Sequence, residues 1–276
     1  MVQKSSMSTN TIRIWLRDAA EELAMAGIPT ALLDAEIILA HTLRKSRTYL
    51  HAHGEDEVEP RRLEIANARL DLRKDRVPVA YIIGHKEFYG RLFKVTPSVL
   101  IPRPESEAMI ESLKKYWGEK PGRLIDIGTG SGCLGITAKL ELPLEVTLTD
   151  ISRHALNIAE ENAHDLGASV DIQQSNLLED ITGVYDAILA NLPYVNKEWE
   201  RSPETNHEPQ LALFAKDGGL ELIKRLISQT NLQLKHGGLL LLEADPEQNA
   251  DIIDYAKNHG LNKAAVHDYC VVLAKS

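Results

Sequence analysis

Leu124-Ile125-Asp126-Ile127-Gly128-Thr129-Gly130-Ser131-Gly132-Cys133-Leu134-Gly135 is the stretch that decides the fold. Its first four residues have the apolar, branched character of a buried strand. Glycine then recurs at alternate positions, where a backbone without Cβ bends tightly and approaches a bound ligand, and a helical pattern follows. A dinucleotide site would carry G-x-G-x-x-G/A, with its third small residue at position 133, where Cys133 stands. The observed spelling is acidic-x-G-x-G-x-G. About twenty residues beyond the glycines, Asp150 closes the next strand-like run, where a carboxylate can accept from both hydroxyls of a ribose. Asp150 or Ser152 can equally cap the helix that starts at Ile151. Asn176 and Leu177 follow the third run and are expected beside the base of a nucleoside ligand.

From Arg123 onward, apolar runs alternate with helical patterns, the mark of a parallel α/β sheet. Strands are expected at 123–127, 145–149, 170–173, 185–190, 238–243, 263–268 and 270–274. The last two are close enough to pair as a hairpin at the sheet edge, giving seven strands with one antiparallel. The fourth run ends abruptly in Asn191-Leu192-Pro193-Tyr194. This motif reads either as a strand stopping at a proline turn or as a site for a planar NH2 group. In the second reading the Asn191 side-chain oxygen and the Leu192 carbonyl accept the two hydrogens, Pro193 stiffens the loop, and the Tyr194 ring packs on the group's plane.

Upstream, the periodicity is helical. A Ser/Thr/Asn cluster at Ser8 to Asn10 can cap a helix carrying Ile12, Trp15, Leu16, Ala19, Leu23 and Ala26, which Gly27 and Pro29 end. A second helix follows Thr30, and a third carries Leu63, Ile65, Ala66, Leu70 and Leu72 before Pro78. Trp15 sits at a core position. Residues 1–78 are thus expected to form a helical bundle, and 79–104 a β-hairpin around Gly90 followed by a proline-rich connector. Residues 105–276 then form the α/β domain. Phe88 in the hairpin either covers the site or packs in the core. Arg103 and Glu105 in the connector either steer a substrate or form a surface ion pair.

The 276 residues are 43% hydrophobic, enough for a substantial core. Lys+Arg 31 against Asp+Glu 40 gives a formal net charge of -9, so no global positive field draws the chain to a phosphate backbone. The basic run Arg61, Arg62, Arg69, Arg73, Lys74 and Arg76 is interleaved with acids and reads as a solvated helix face. Cys133 and Cys270 are far apart and signal neither a disulfide framework nor zinc, so a reducing cytoplasm fits. No histidine pair has a ligand set around it, and no metal is expected. No segment has the ~18 apolar residues that span a bilayer.

The acidic-x-G-x-G-x-G loop is similar to motif I of methyltransferases that use S-adenosylmethionine. Together with Asp150 and Asn191-Leu192-Pro193-Tyr194 it resembles the amino-methyltransferases that act on planar nitrogens. Within them the chain most closely resembles the HemK-type glutamine methyltransferases of peptide chain release factors. The resemblance covers nearly the whole chain. It is carried by Leu32-Leu33-Asp34-Ala35-Glu36, Pro78-Val79-Ala80-Tyr81-Ile82-Ile83-Gly84, Lys86-Glu87-Phe88-Tyr89-Gly90 and Val99-Leu100-Ile101-Pro102-Arg103-Pro104-Glu105. It implies a seven-stranded, Rossmann-like class I methyltransferase domain of α/β class, with an N-terminal helical bundle and a linking β-hairpin. The implied reaction is methyl transfer from S-adenosylmethionine to the glutamine of a Gly-Gly-Gln motif, with the helices docking a release factor. The implied cofactor residues are Asp126, Gly128, Thr129, Gly130, Ser131, Gly132, Asp150, Asn176, Leu177 and Asn191. Asn191, Leu192, Pro193 and Tyr194 would carry catalysis and, with Phe88, Arg103 and Glu105, bind substrate.

Two departures stand out. Leu192 replaces a proline of the family motif but keeps the backbone carbonyl. Asn176 and Ala244-Asp245 stand where the family tends to have an acidic residue and Ile-Gly. The expected protein is a cytoplasmic monomer without direct nucleic-acid or membrane contact. The rival readings are a nucleic-acid adenine amino-methyltransferase, whose target NH2 has the same geometry, and a non-catalytic cofactor-binding scaffold on the same fold.

Overall fold

The structure is a computed structural model that describes residues 10–276. The chain divides into two compact units, Met1–Gly84 and His85–Ser276.

The first unit is helical: α1 (Ile12–Met25), α2 (Ala31–Leu43), α3 (Arg47–Ala52), α4 (Pro60–Lys74) and α5 (Val79–Ile83). The first helix is capped by Thr11, whose hydroxyl accepts from the Ile14 amide at 3.4 Å. Asn10 is not the cap, and Ser8 and Thr9 lie outside the described residues. Ile12, Trp15, Leu16, Ala19 and Leu23 form the buried stripe that their spacing predicts. Trp15 is buried and donates its indole hydrogen to Asn67 Oδ1 at 2.7 Å, tying α1 to α4. One expectation fails on α4. Arg73 is buried rather than solvated, because its guanidinium pairs with the buried Asp34 carboxylate at 2.7 Å. The short α3 and α5 lack the length for a periodic signal and escape the sequence reading.

The second unit opens with the hairpin β1 (His85–Phe88) and β2 (Arg91–Lys94). Tyr89 and Gly90 join the strands with φ of 50° and 71°, a pair of left-handed residues that matches the strand twist. The connector turns at Pro97–Ser98, where the Val99 amide donates to the Thr96 carbonyl at 3.0 Å, is extended at Arg103, makes one 3-10 turn at Pro104–Ser106 and enters α6 (Glu107–Trp117). The α/β layer then runs β3 (Gly122–Ile127), α7 (Cys133–Glu141), β4 (Leu144–Asp150), α8 (Arg153–Asp165), β5 (Asp171–Gln174) and β6 (Tyr185–Ala190). It continues with α9 (Gln210–Leu213), α10 (Glu221–Gln233), β7 (Leu234–Glu243), α11 (Asn249–Lys257), β8 (Leu261–His267) and β9 (Cys270–Lys275).

The sheet order is β5-β4-β3-β6-β7-β9-β8. Neighbours from β5 through β7 pair in parallel, and β9 alone runs against them, between β7 and β8. All seven expected strands are present, with the expected hairpin at the edge. Leu124, Leu148, Ala187, Leu189 and Leu241 fill the core on one sheet face, and Ile125, Ile127, Ile188, Leu240 and Leu242 fill it on the other. This alternation on parallel strands buried on both faces explains the continuous apolar runs. The chain order reverses between β3 and β6, which opens a crevice beyond their carboxyl ends. Among the described residues, no helix is long and apolar enough to cross a membrane.

Candidate active site

The crevice is a cleft of about 400 Å³ at the ends of β3, β4 and β6. Its floor is the glycine loop. Gly128, Gly130 and Gly132 have φ of 70°, 55° and 82°, which a side chain rarely tolerates. A Cβ on Gly128 would come within 3.0 Å of Leu192 Cδ2, whereas Gly130 has nothing within 4 Å and leaves its side of the loop open. The loop is tethered to β4 twice: the Thr129 amide donates to the Thr149 carbonyl at 2.8 Å, and the Gly130 amide donates to Asp150 Oδ2 at 3.0 Å.

Asp150 holds backbone on both sides of the cleft's edge with its two carboxylate oxygens. Its Oδ1 accepts from the Ser152 amide at 2.8 Å, while Ser152 itself caps α8. The carboxylate lines the cleft. Burial raises its pKa, and the amides of Ser152, Gly130 and Ile151 oppose that rise. Gly128, Thr129, Ser131, Asn176 and Leu177 also line the cleft, as do Asn191, Leu192, Pro193 and Arg103.

Five predicted residues are not brought to the cleft wall. Asp126 is buried beneath the loop, where Oδ2 accepts from the Thr129 hydroxyl at 2.6 Å and from the Gly135 amide at 3.0 Å. It shapes the loop from below. Gly132 serves the turn into α7, since a Cβ there would meet Ile136 Cδ1 at 2.6 Å. Phe88 is 1% exposed and packs edge-on against Phe93 at 6.1 Å, so its apolar ring is spent on the core. Glu105 lies in the 3-10 turn and does not line the cleft. Tyr194 packs against the apolar face formed with β6 and β7, and its hydroxyl donates to Glu243 Oε1 at 3.2 Å. Arg103 lines the cleft but already has a partner, the buried carboxylate of Glu208 at 2.5 Å. Glu208 also accepts from the Ile101 amide at 3.2 Å, which clamps the connector to the segment after the asparagine motif.

The asparagine motif is held from several sides. Asn191 Nδ2 donates to Ser106 Oγ at 3.2 Å. Leu192 is buried against the glycine loop. Gln248 Nε2 donates to the Tyr194 carbonyl at 2.9 Å and to the Gly218 carbonyl at 2.8 Å, and the Val195 amide donates to Leu213 at 3.0 Å. Sequence reasoning did not single out Ser106, Glu208 or Gln248. The residue at 243 carried a usable signal, since an acid ending the apolar run Leu239–Leu242 must face something other than the core.

Residues 15–84 match the family described as PrmC N-terminal domain, and residues 104–208 match the methyltransferase small domain. A release factor glutamine methyltransferase of Koribacter versatilis is 39% identical, the match covering 86% of this chain and 89% of that one. The chain belongs to the release factor glutamine methyltransferase family. A member from Escherichia coli is 33% identical over 83% of this chain and 84% of its own. The fold also matches a Thermus thermophilus 16S rRNA N2 G1207 methyltransferase solved with AdoMet and guanosine, at TM-score 0.54 and 17% identity. That match covers 70% of this chain and 49% of the other. Like its family, the protein is an S-adenosylmethionine-dependent methyltransferase.

The residues present fit this cofactor. It joins a nucleoside to an amino-acid end bearing a sulfonium and an ammonium. Asp150 offers a carboxylate in the cleft, and Asp126 Oδ1 is a buried acceptor with no hydrogen-bond partner. Burial pushes the Asp126 pKa up to about 6, partly opposed by Thr129 and Gly135, with the nearby Asp150 charge adding to the rise. Two acids, Asp126 beneath a neutral glycine loop and Asp150 in the cleft beside it, suit a cationic ligand.

Proposed function

We propose that this methyltransferase transfers a methyl group from S-adenosylmethionine to the side-chain amide nitrogen of the glutamine in the Gly-Gly-Gln motif of peptide chain release factors. It does so in the cytoplasm, as a monomer and without direct nucleic-acid contact. The observation that carries this reading is the orientation of the Asn191 amide. Its Nδ2 donates to Ser106 Oγ, which supports a reading in which Oδ1 is the end available to accept from a substrate in the cleft that Asn191 lines. The names of the relatives, at 39% and 33% identity, supply the substrate.

An amide nitrogen is a weak nucleophile because its lone pair is delocalised into the carbonyl, so orientation is the main task. S-adenosylmethionine held there would supply a methyl carbon on a positively charged sulfur, a leaving group that would keep the C–S electron pair. Asn191 Oδ1 and the Leu192 carbonyl accept the two amide hydrogens and aim the nitrogen's lone pair. They also stabilise the positive charge that develops on it before a proton leaves to solvent. Pro193 restricts the loop so that both acceptors are set beforehand. Tyr194 acts by anchoring this loop through its hydroxyl and carbonyl. Asp150, the loop from Gly128 to Ser131, and Asn176 with Leu177 hold the cofactor. Asp126 and Gly132 keep that loop in shape. The clamp of Arg103 and Glu208 fixes the wall past which the substrate enters, and the helices of residues 1–78 dock the release factor.

Mass spectrometry of a purified release factor after incubation with enzyme and S-adenosylmethionine tests this directly. The expected product carries one added methyl on the Gly-Gly-Gln glutamine. An unmodified factor, or methyl incorporated into adenine of added DNA or RNA instead, would refute it.

A further inference from the structure

Glu243 closes β7, the strand beside the one that ends in the asparagine motif, and its carboxylate is only 2% exposed. Oε1 accepts from the Tyr194 hydroxyl at 3.2 Å, and Oε2 is buried with its accepting capacity unfilled. Burial, with the nearby Glu105, raises its pKa above the ordinary carboxylate value, while hydrogen bonds from Ser106, Tyr194 and Asn191 favour the ionised form and oppose that rise. Cys133 of α7 and Cys270 of β9 face the same charge, and both thiols are pushed up, to about 12 and about 11, by burial foremost. None of these groups is a cation. A buried carboxylate without a countercharge costs stability that a neutral side chain would avoid. When ionised, such a group is a pure acceptor.

That bears on the polarity of the hydrogen-bond chain. An asparagine amide has an accepting and a donating end, and turning it over exchanges them at little steric cost. A serine hydroxyl has one hydrogen and can either accept from the amide NH2 or donate to the amide oxygen. What decides is where the serine hydrogen goes. Tyr194 spends its own hydrogen on Oε1, and an ionised Oε2 can only accept.

We propose that Glu243 is a positioning residue that draws the Ser106 hydroxyl hydrogen toward itself, so that Ser106 accepts from Asn191 Nδ2 and Asn191 Oδ1 is turned to the cleft. This rests on the reading of Asn191 given above and deepens it. With glutamine at 243, an NH2 end can donate to Ser106 Oγ instead. The serine hydrogen then turns to Asn191, whose oxygen rotates inward and whose NH2 meets the substrate NH2, donor against donor.

The test uses the full chain and a release factor. Glu243→Gln is expected to lower kcat by at least about tenfold, with KM for the factor changing less and the cofactor Kd within about twofold. Ser106→Ala should lower kcat as well, and the double variant should be no slower than Glu243→Gln alone, because both act through one chain of bonds. Near-normal kcat in Glu243→Gln, or losses that multiply in the double variant, would overturn the proposal. Should Glu243→Gln fail to fold, Ser106→Ala decides alone, and normal kcat there overturns it. Asn191→Ala in the same assay separates the two claims. If it is inactive while Glu243→Gln is normal, only the role of Glu243 falls. If it is active, the underlying site falls.

Discussion

At Asp126, burial raises the carboxyl pKa to about 6 from its ordinary 3.8. Between those values the folded chain holds a proton that the unfolded chain has released. This group therefore favours folding below pH 3.8, and that contribution is lost as pH rises through about 6. At neutral pH the ionised form costs on the order of 3 kcal/mol. Asparagine keeps an acceptor for Thr129 and Gly135 and carries no charge. Asp126→Asn should thus gain stability relative to the parent as pH rises through about 6, while binding S-adenosylmethionine more weakly. Thermal melts across that range and calorimetry check both, and a stability difference constant with pH would contradict the first. The acid was legible in the glycine-loop pattern, but its depth was not. Spacing shows that a residue ends near a loop, whereas burial depends on β4 and α7 packing from either side. Ser106 was hidden for a related reason, since it meets Asn191 only through folding.

The loop after β6 depends on one close approach between elements. Gly219, at φ +92°, lies so near the Tyr194 backbone that a Cβ would sit 1.9 Å from its carbonyl oxygen and 2.5 Å from Gln248 Nε2. Backbone cannot move aside as a side-chain tip can. Gly219→Ala should therefore destabilise by on the order of 1–3 kcal/mol and slow methyl transfer by displacing the asparagine motif. An unchanged melting midpoint with normal transfer would show that the approach is not needed. At this scale the sequence was most readable where elements are long. Strands β3, β6 and β7 announced themselves because central strands of a parallel sheet, buried on both faces, are runs of apolar residues. Helices α3, α5 and α9, of six, five and four residues, carry too few positions for a period to emerge.

On the scale of the whole molecule, the first unit has a core of its own, built around Trp15, Leu23, Ile38, Leu39 and Leu50. The second has two, one on each sheet face, and contains every residue of the cleft. Residues 85–276 prepared alone should bind S-adenosylmethionine with affinity close to that of the full chain, yet show a raised KM for a release factor. Unchanged KM would remove the helices from docking. The net charge of -9 suits a protein substrate better than a phosphate backbone. The central claim concerns the two acceptors at the end of β6. Single-turnover methyl transfer to a release factor by Asn191→Ala, with cofactor Kd measured in parallel, tests it most directly. Transfer is predicted to fall by about 10²–10³ as one preorganised acceptor is lost, with cofactor Kd within about tenfold of the parent. Transfer at a near-normal rate would contradict the account.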